Sequence, residues 1–137
     1  VSEVALTADG ERALKEAENY CWRTNVAIVA PEHLLAGALL VLTTAGHSRA
    51  PSAEQLEAAV VASQGSGSEE LSTSVMFGSG ARMALNYVAA GVRQSGGTRV
   101  TALALAAGTI DSGEVNPMFF GALGTTKREL LQALVGT

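Results

Sequence analysis

Covalent and aromatic means of holding this chain together are scarce. Cys21 is the one cysteine among 137 residues, so an internal disulfide and a cysteine-cluster zinc site are both excluded. Aromatic residues are 4% of the chain, with Trp22 the one tryptophan, while apolar residues reach 47%. A core of that make-up is built from Ala, Leu and Val, which suits closely packed helices better than a β-sandwich. No basic run occurs and the net charge is −4, which argues against nucleic acid or an anionic membrane surface as partner. No uninterrupted apolar stretch approaches the roughly 20 residues of a membrane span. The opening VSEVALTADGERAL shows no basic region followed by an apolar core, so no signal peptide is expected and the cytoplasm is the default location. The phosphate loop G-x-x-x-x-G-K-[ST], an acidic Walker B strand and the G-x-S-x-G turn are absent as well.

What is present is helical. Residues 30–40, APEHLLAGALL, form a short stretch with little polar surface. Pro31 suits the first helical position, and Glu32 in the first turn favours the helix dipole. A helix apolar nearly all round belongs inside, with others wrapped on it. The same arrangement recurs after a shift of 71 residues: Val29 meets Val100, Leu34 meets Leu105, Gly37 meets Gly108 and Leu39 meets Ile110. Upstream, the shift sets Ala13-Leu14 on Ala84-Leu85 and Cys21 on Val92. One gapless shift serving two segments predicts a duplicated helical unit.

The remaining punctuation agrees. Thr7 is a good N-cap, and Ala13, Leu14, Ala17 and Cys21 make a buried stripe behind it. Val26 to Val29 reads as an apolar connector, and AGHSRAP at 45–51 as a break. Ser52 with Gln55 forms a capping box before a helix through Leu56, Ala59 and Val60. Residues 64–74, QGSGSEELSTS, are the flexible joint, with Glu69-Glu70 a solvated pair. Beyond it come a helix ended by Ser95-Gly96-Gly97, a Thr101-capped helix over 102–110, a short helix from Pro117, and a last helix opened by Thr126 and Glu129. No hairpin chemistry appears. The expectation is one all-α domain over 1–137: seven to eight helices in two pseudo-symmetric repeats, about 1–63 and 75–137, sharing one core.

These features resemble the double-repeat N-terminal domain of Clp-type AAA+ unfoldases. That family opens a repeat with a Thr-capped Leu-x-x-Ala-x-x-x-Ala helix, here Thr7 with Leu14, Ala17 and Cys21. It continues with Glu-His-Leu-Leu, here Glu32 to Leu35, and closes with a helix-turn-helix, here residues 117–134. The second copy departs from the pattern. It has Leu103-Ala104-Leu105-Ala106 for Glu-His-Leu-Leu and Gly78 for the threonine, while AGHSRAP shortens the first repeat's third helix. The chain thus looks like a divergent member.

The resemblance implies a non-catalytic domain that recruits substrates or adaptors to a Clp-type ATP-dependent chaperone or protease. The alternative is a stand-alone regulatory relative that binds the Clp assembly itself. Client or adaptor proteins and the Clp machinery are the implied partners; no cofactor, metal, nucleic acid or membrane is expected. In several relatives the counterparts of Thr7 and Glu32 belong to a pocket for phosphorylated arginine. A capped helix N-terminus offers donors to a phosphate, and a carboxylate pairs with a guanidinium. That pocket would need Thr7 and Glu32 together at a surface groove, with the second copy silent. His33 has no His or Cys at helical ligand spacing, and Cys21 has no activating neighbour in view, so both read as packing residues.

Overall fold

Residues 5–47, 50–68, 71 and 75–135 are described by a computed structural model. The order is β1 (Ala5–Leu6), α1 (Ala8–Thr24), β2 (Ile28–Val29), α2 (Pro31–Thr44), α3 (Ala53–Gln64), β3 (Met76–Phe77), α4 (Ser79–Gln94), β4 (Arg99–Val100), α5 (Ala102–Asp111), α6 (Pro117–Ala122) and α7 (Lys127–Val135). Glu69-Glu70 and most of 69–74 lie outside the described residues.

The chain is all-α apart from two-residue strands, and its elements repeat in register. Met76 lies 71 residues after Ala5, Ser79 after Ala8, Arg99 after Ile28, and Ala102 after Pro31, so four consecutive elements start at one fixed offset. The register then breaks. α2 has 14 residues and α5 has 10. One helix, α3, closes the first half, whereas α6 and α7 close the second. Reciprocal caps identify the matching pair: Ser52 with Gln55 opens α3, and Thr126 with Glu129 opens α7. This 74-residue offset sets buried Leu56 on Leu130 and Val60 on Leu134. Among the described residues helix α6 has no counterpart; His47 and Ala50 to Ser52 stand outside any helix where it would be.

Both strand pairs are parallel, and both join one half to the other. Ala5 and Leu6 pair with Arg99 and Val100, while Ile28 and Val29 pair with Met76 and Phe77. The ladders continue identically into the helix caps. Thr7 N–H donates to Val100 O and Gly78 N–H to Val29 O, each at 3.0 Å. The start of α1 is thereby held beside the start of α5, and the start of α4 beside the start of α2.

Helix α2 is the centre, with eleven of its fourteen residues buried on all sides. It packs on α1, α3 and α5. The approach to α1 is so close that a Cβ on Gly37 would stand 2.4 Å from Ala13 O. Leu34, Leu35, Leu105 and Ile110 have no exposed surface. One buried cluster joins Tyr20, Leu35, Leu39 and Leu56 to Leu105, Ile110, Phe119 and Leu130 across the halves. A smaller one joins Ala17, Cys21, Val29 and Leu34 to Ala81 and Ala84. Helix α1 ends where Asn25 turns left-handed (φ 58°) and donates its N–H back to Cys21 O and Trp22 O. Among the described residues no helix is long and apolar enough to cross a membrane.

Candidate functional site

The crossed strands create two topologically equivalent junctions, each between two helix N-termini, and the two carry different side chains. At the first, Thr7 Oγ1 accepts from Gly10 N–H at 3.2 Å and caps α1. The hydroxyl donates to the Asp9 carboxylate. Asp9 Oδ1 in turn accepts from Ala102 N–H at 3.3 Å, the first turn of α5. The Thr7 hydrogen bond, above all, holds the Asp9 carboxyl below its ordinary pKa. The site where two helix N-termini would welcome an external anion is thus met by an anion from the chain itself.

The second junction carries Glu32, whose carboxylate is only 2% exposed. Oε1 accepts from Gln64 Nε2 at 2.7 Å, at the end of α3, and Oε2 accepts from Asn116 N–H, the N-cap of α6. Opposite it stands Gly78, with no hydroxyl to offer. A Cβ there would lie 2.7 Å from Ile28 Cγ2.

Thr7 and Glu32 thus make their hydrogen bonds at different junctions, Thr7 with Asp9 and Gly10 beside the start of α5, Glu32 with Gln64 and Asn116. Among the described residues they share no hydrogen-bond partner, since each strand pair is formed between halves and not within one. Thr7 faces the start of α5, where Leu103 replaces the acid. Glu32 faces Gly78 and serves as an internal tie between α2, α3 and α6, not as a surface carboxylate.

His33 and Cys21 are both interior. His33 Nδ1 accepts from Ala30 N–H at 2.9 Å, the return half of a capping box whose first half Ala30 cannot supply. That bond assigns the ring proton to Nε2, which is buried with no partner. Burial lowers the His33 pKa to about 4 and raises that of Cys21 to about 12. The Cys21 thiol lies 3.7 Å from Ile28 O. Among the described residues no three ligand-type side chains converge on a metal-sized space.

A further concavity belongs to neither junction. A groove of about 720 Å³ runs between α4, α5 and α7. Gly91 and Gly108, Leu131 and Val135, and Tyr87 with Asp111 are among its lining residues. The Tyr87 hydroxyl donates to the Asp111 carboxylate, linking α4 to α5, and this bond raises the Tyr87 pKa. Sequence reasoning missed this groove, although one signal existed: the 71-residue shift sets Gly91 on Tyr20.

No protein-family model matches the chain, and no curated protein matches it in sequence. Its structure is similar to the crystal structure of the N-terminal domain of the caseinolytic protease associated chaperone ClpD from Arabidopsis thaliana. The TM-score is 0.76 at 15% identity, covering 95% of this chain and 92% of that one. At that identity the likeness shows the fold: a Clp N-domain-like all-α architecture.

Proposed function

We propose that this chain works as a non-catalytic recruitment domain, docking substrates or adaptors for a Clp-type ATP-dependent chaperone or protease. The observation that carries the reading is the match of fold over nearly the whole of both chains, to a domain named as part of a Clp-associated chaperone. The polar chemistry supports it from the other side. Cys21 and His33 are both buried, the thiol pushed up to about 12 and the imidazole pulled down to about 4 and bonded through Nδ1, which suits packing roles for both.

The surface offers material for docking. Ile28 and Met76 face each other across the β2–β3 pair and are 56% and 68% exposed; Met83 and Met118 are also exposed. Methionine adapts its shape to varied apolar partners. The phosphoarginine pocket does not enter this proposal as a Thr7–Glu32 unit, since the two residues make their hydrogen bonds at different junctions.

Affinity capture on the immobilised chain, followed by mass spectrometry, tests the reading. Clients or adaptors that compete with one another for the chain support it. Clp subunits alone would assign the chain to the regulatory alternative, and the absence of either class would refute both.

A further inference from the structure

The two halves bury the same helix triple in different ways. In the first half, α1, α2 and α3 close over Tyr20, which has no exposed surface. Arg23 lies over the Tyr20 ring, 4.5 Å from its centre, and its Nε meets Glu57 Oε1 of α3 at 3.0 Å. Ring, cation and carboxylate form one plug.

The second half replaces all three at once. The 71-residue offset puts Gly91 at the place of Tyr20 and Gln94 at that of Arg23. The 74-residue offset puts Leu131 at the place of Glu57. All three line the groove between α4, α5 and α7. A Cβ on Gly91 would meet nothing within 4 Å. Gly91 lies in the fourth turn of the 16-residue α4, where a glycine costs up to about 1 kcal/mol against alanine, and neither a tight turn nor a close approach calls for one there. What Gly91 leaves at that place is open space.

We infer that this groove binds an aromatic side chain of a partner polypeptide that carries a basic residue beside it. The ring takes the volume Tyr20 fills in the first half. The cation takes the place over the ring that Arg23 holds there, which the second half leaves to Gln94. Charge complementarity favours it: Asp111 is exposed, and no Lys or Arg is among the residues that line the groove with it.

This inference rests on the recruitment reading but fails separately from it, since a groove that ignores such a peptide leaves capture at other surfaces standing. The probe is a blocked hexapeptide with one tyrosine and a neighbouring arginine, titrated into the isotope-labelled 137-residue chain and followed by amide NMR. Shifts should cluster at Gly91, Gly108 and Leu131. Replacing the peptide tyrosine by alanine should weaken binding by about tenfold or more, and replacing its arginine by glutamate severalfold. Gly91→Tyr, which rebuilds the plug, should abolish the shifts while leaving the melting temperature unchanged or higher. Leu131→Glu, at a half-buried surface position, should weaken binding without refilling the core. The inference is overturned by shifts confined to Ile28 and Met76, by no saturable shift at millimolar peptide, or by both variants binding as the parent does. Concentration-dependent shifts at Gly91 without peptide would overturn it too, since a second copy would then be the occupant.

Discussion

Gly37 and Gly108 occupy matching positions in the two central helices, yet a methyl group at each meets a different obstacle. On Gly37 it would stand 2.4 Å from Ala13 O and 2.7 Å from Ala17 N. Both are backbone atoms of α1, so no side chain can turn aside. Ordinary contact begins near 3.4 Å, and relief requires α1 and α2 to part by about 1 Å along a buried face. On Gly108 the methyl meets Val88 Cγ2 at 2.6 Å, a side chain that can change rotamer. Alanine gains about 1 kcal/mol of helix propensity at either site. Overpacking costs about 1–3 kcal/mol where the core can yield and more where it cannot. Gly37→Ala should therefore lose about 2–4 kcal/mol net, and Gly108→Ala about 0–2 kcal/mol. Urea unfolding followed by circular dichroism reads both as midpoint shifts at constant slope. Equal losses, or a larger one at Gly108, would refute the claim that α1 and α2 meet backbone to backbone.

Glu32→Ala should destabilise by about 1–3 kcal/mol, since it strands the half-buried Asn116 N–H and frees Gln64; a loss under about 0.5 kcal/mol would show the carboxylate to be idle. Leu35→Ala should cost about 2–5 kcal/mol by the same denaturation assay, and a neutral result would contradict its place in the shared core. His33 gives a pH signature: its folded-state pKa of about 4 lies below the ordinary 6.5, so below 6.5 the unfolded chain takes up a proton that the folded chain refuses. Its contribution is full above pH 6.5 and is lost as the pH falls toward 4, about 3 kcal/mol in all. A His33→Gln variant with an unchanged pH profile would disprove this. Calorimetric titration with a phosphoarginine peptide should show no saturable site, whereas one site that Glu32→Ala removes would reinstate the pocket.

The periodic parts of the fold were legible because they are encoded locally. Caps at Thr7, Ser52, Thr101 and Thr126, the stripe along α1 and the all-apolar α2 each lie within one turn or one helix. The 71-residue shift carried further than local pattern, since strand and helix starts obey it together. What sequence could not display was the partnering of β1 with β4 and of β2 with β3. Two-residue parallel pairs have no turn between them and no alternation to read. That omission left the junction at which each of Thr7 and Glu32 makes its hydrogen bonds unread. Burial of Glu32 was hidden for a related reason: its partners Gln64 and Asn116 come from the end of one half and the middle of the other. The groove was legible only by difference, and Gly91 reads as an ordinary helix glycine until Tyr20 is seen filling its counterpart.

The exchange of strands bears on how such a unit exists at all. A single copy of the 71-residue module would own two short strands and no partner for either; a second copy, turned about a twofold, supplies both. In isolation such a module would need a second copy of itself to pair both strands, as the protomer of an isologous dimer does, and the covalent link between the halves makes that encounter intramolecular. Once tethered, the protomers no longer have to be identical. One could keep Tyr20, Arg23 and Glu57 as internal packing, while the other gave up the same three places to open a cleft.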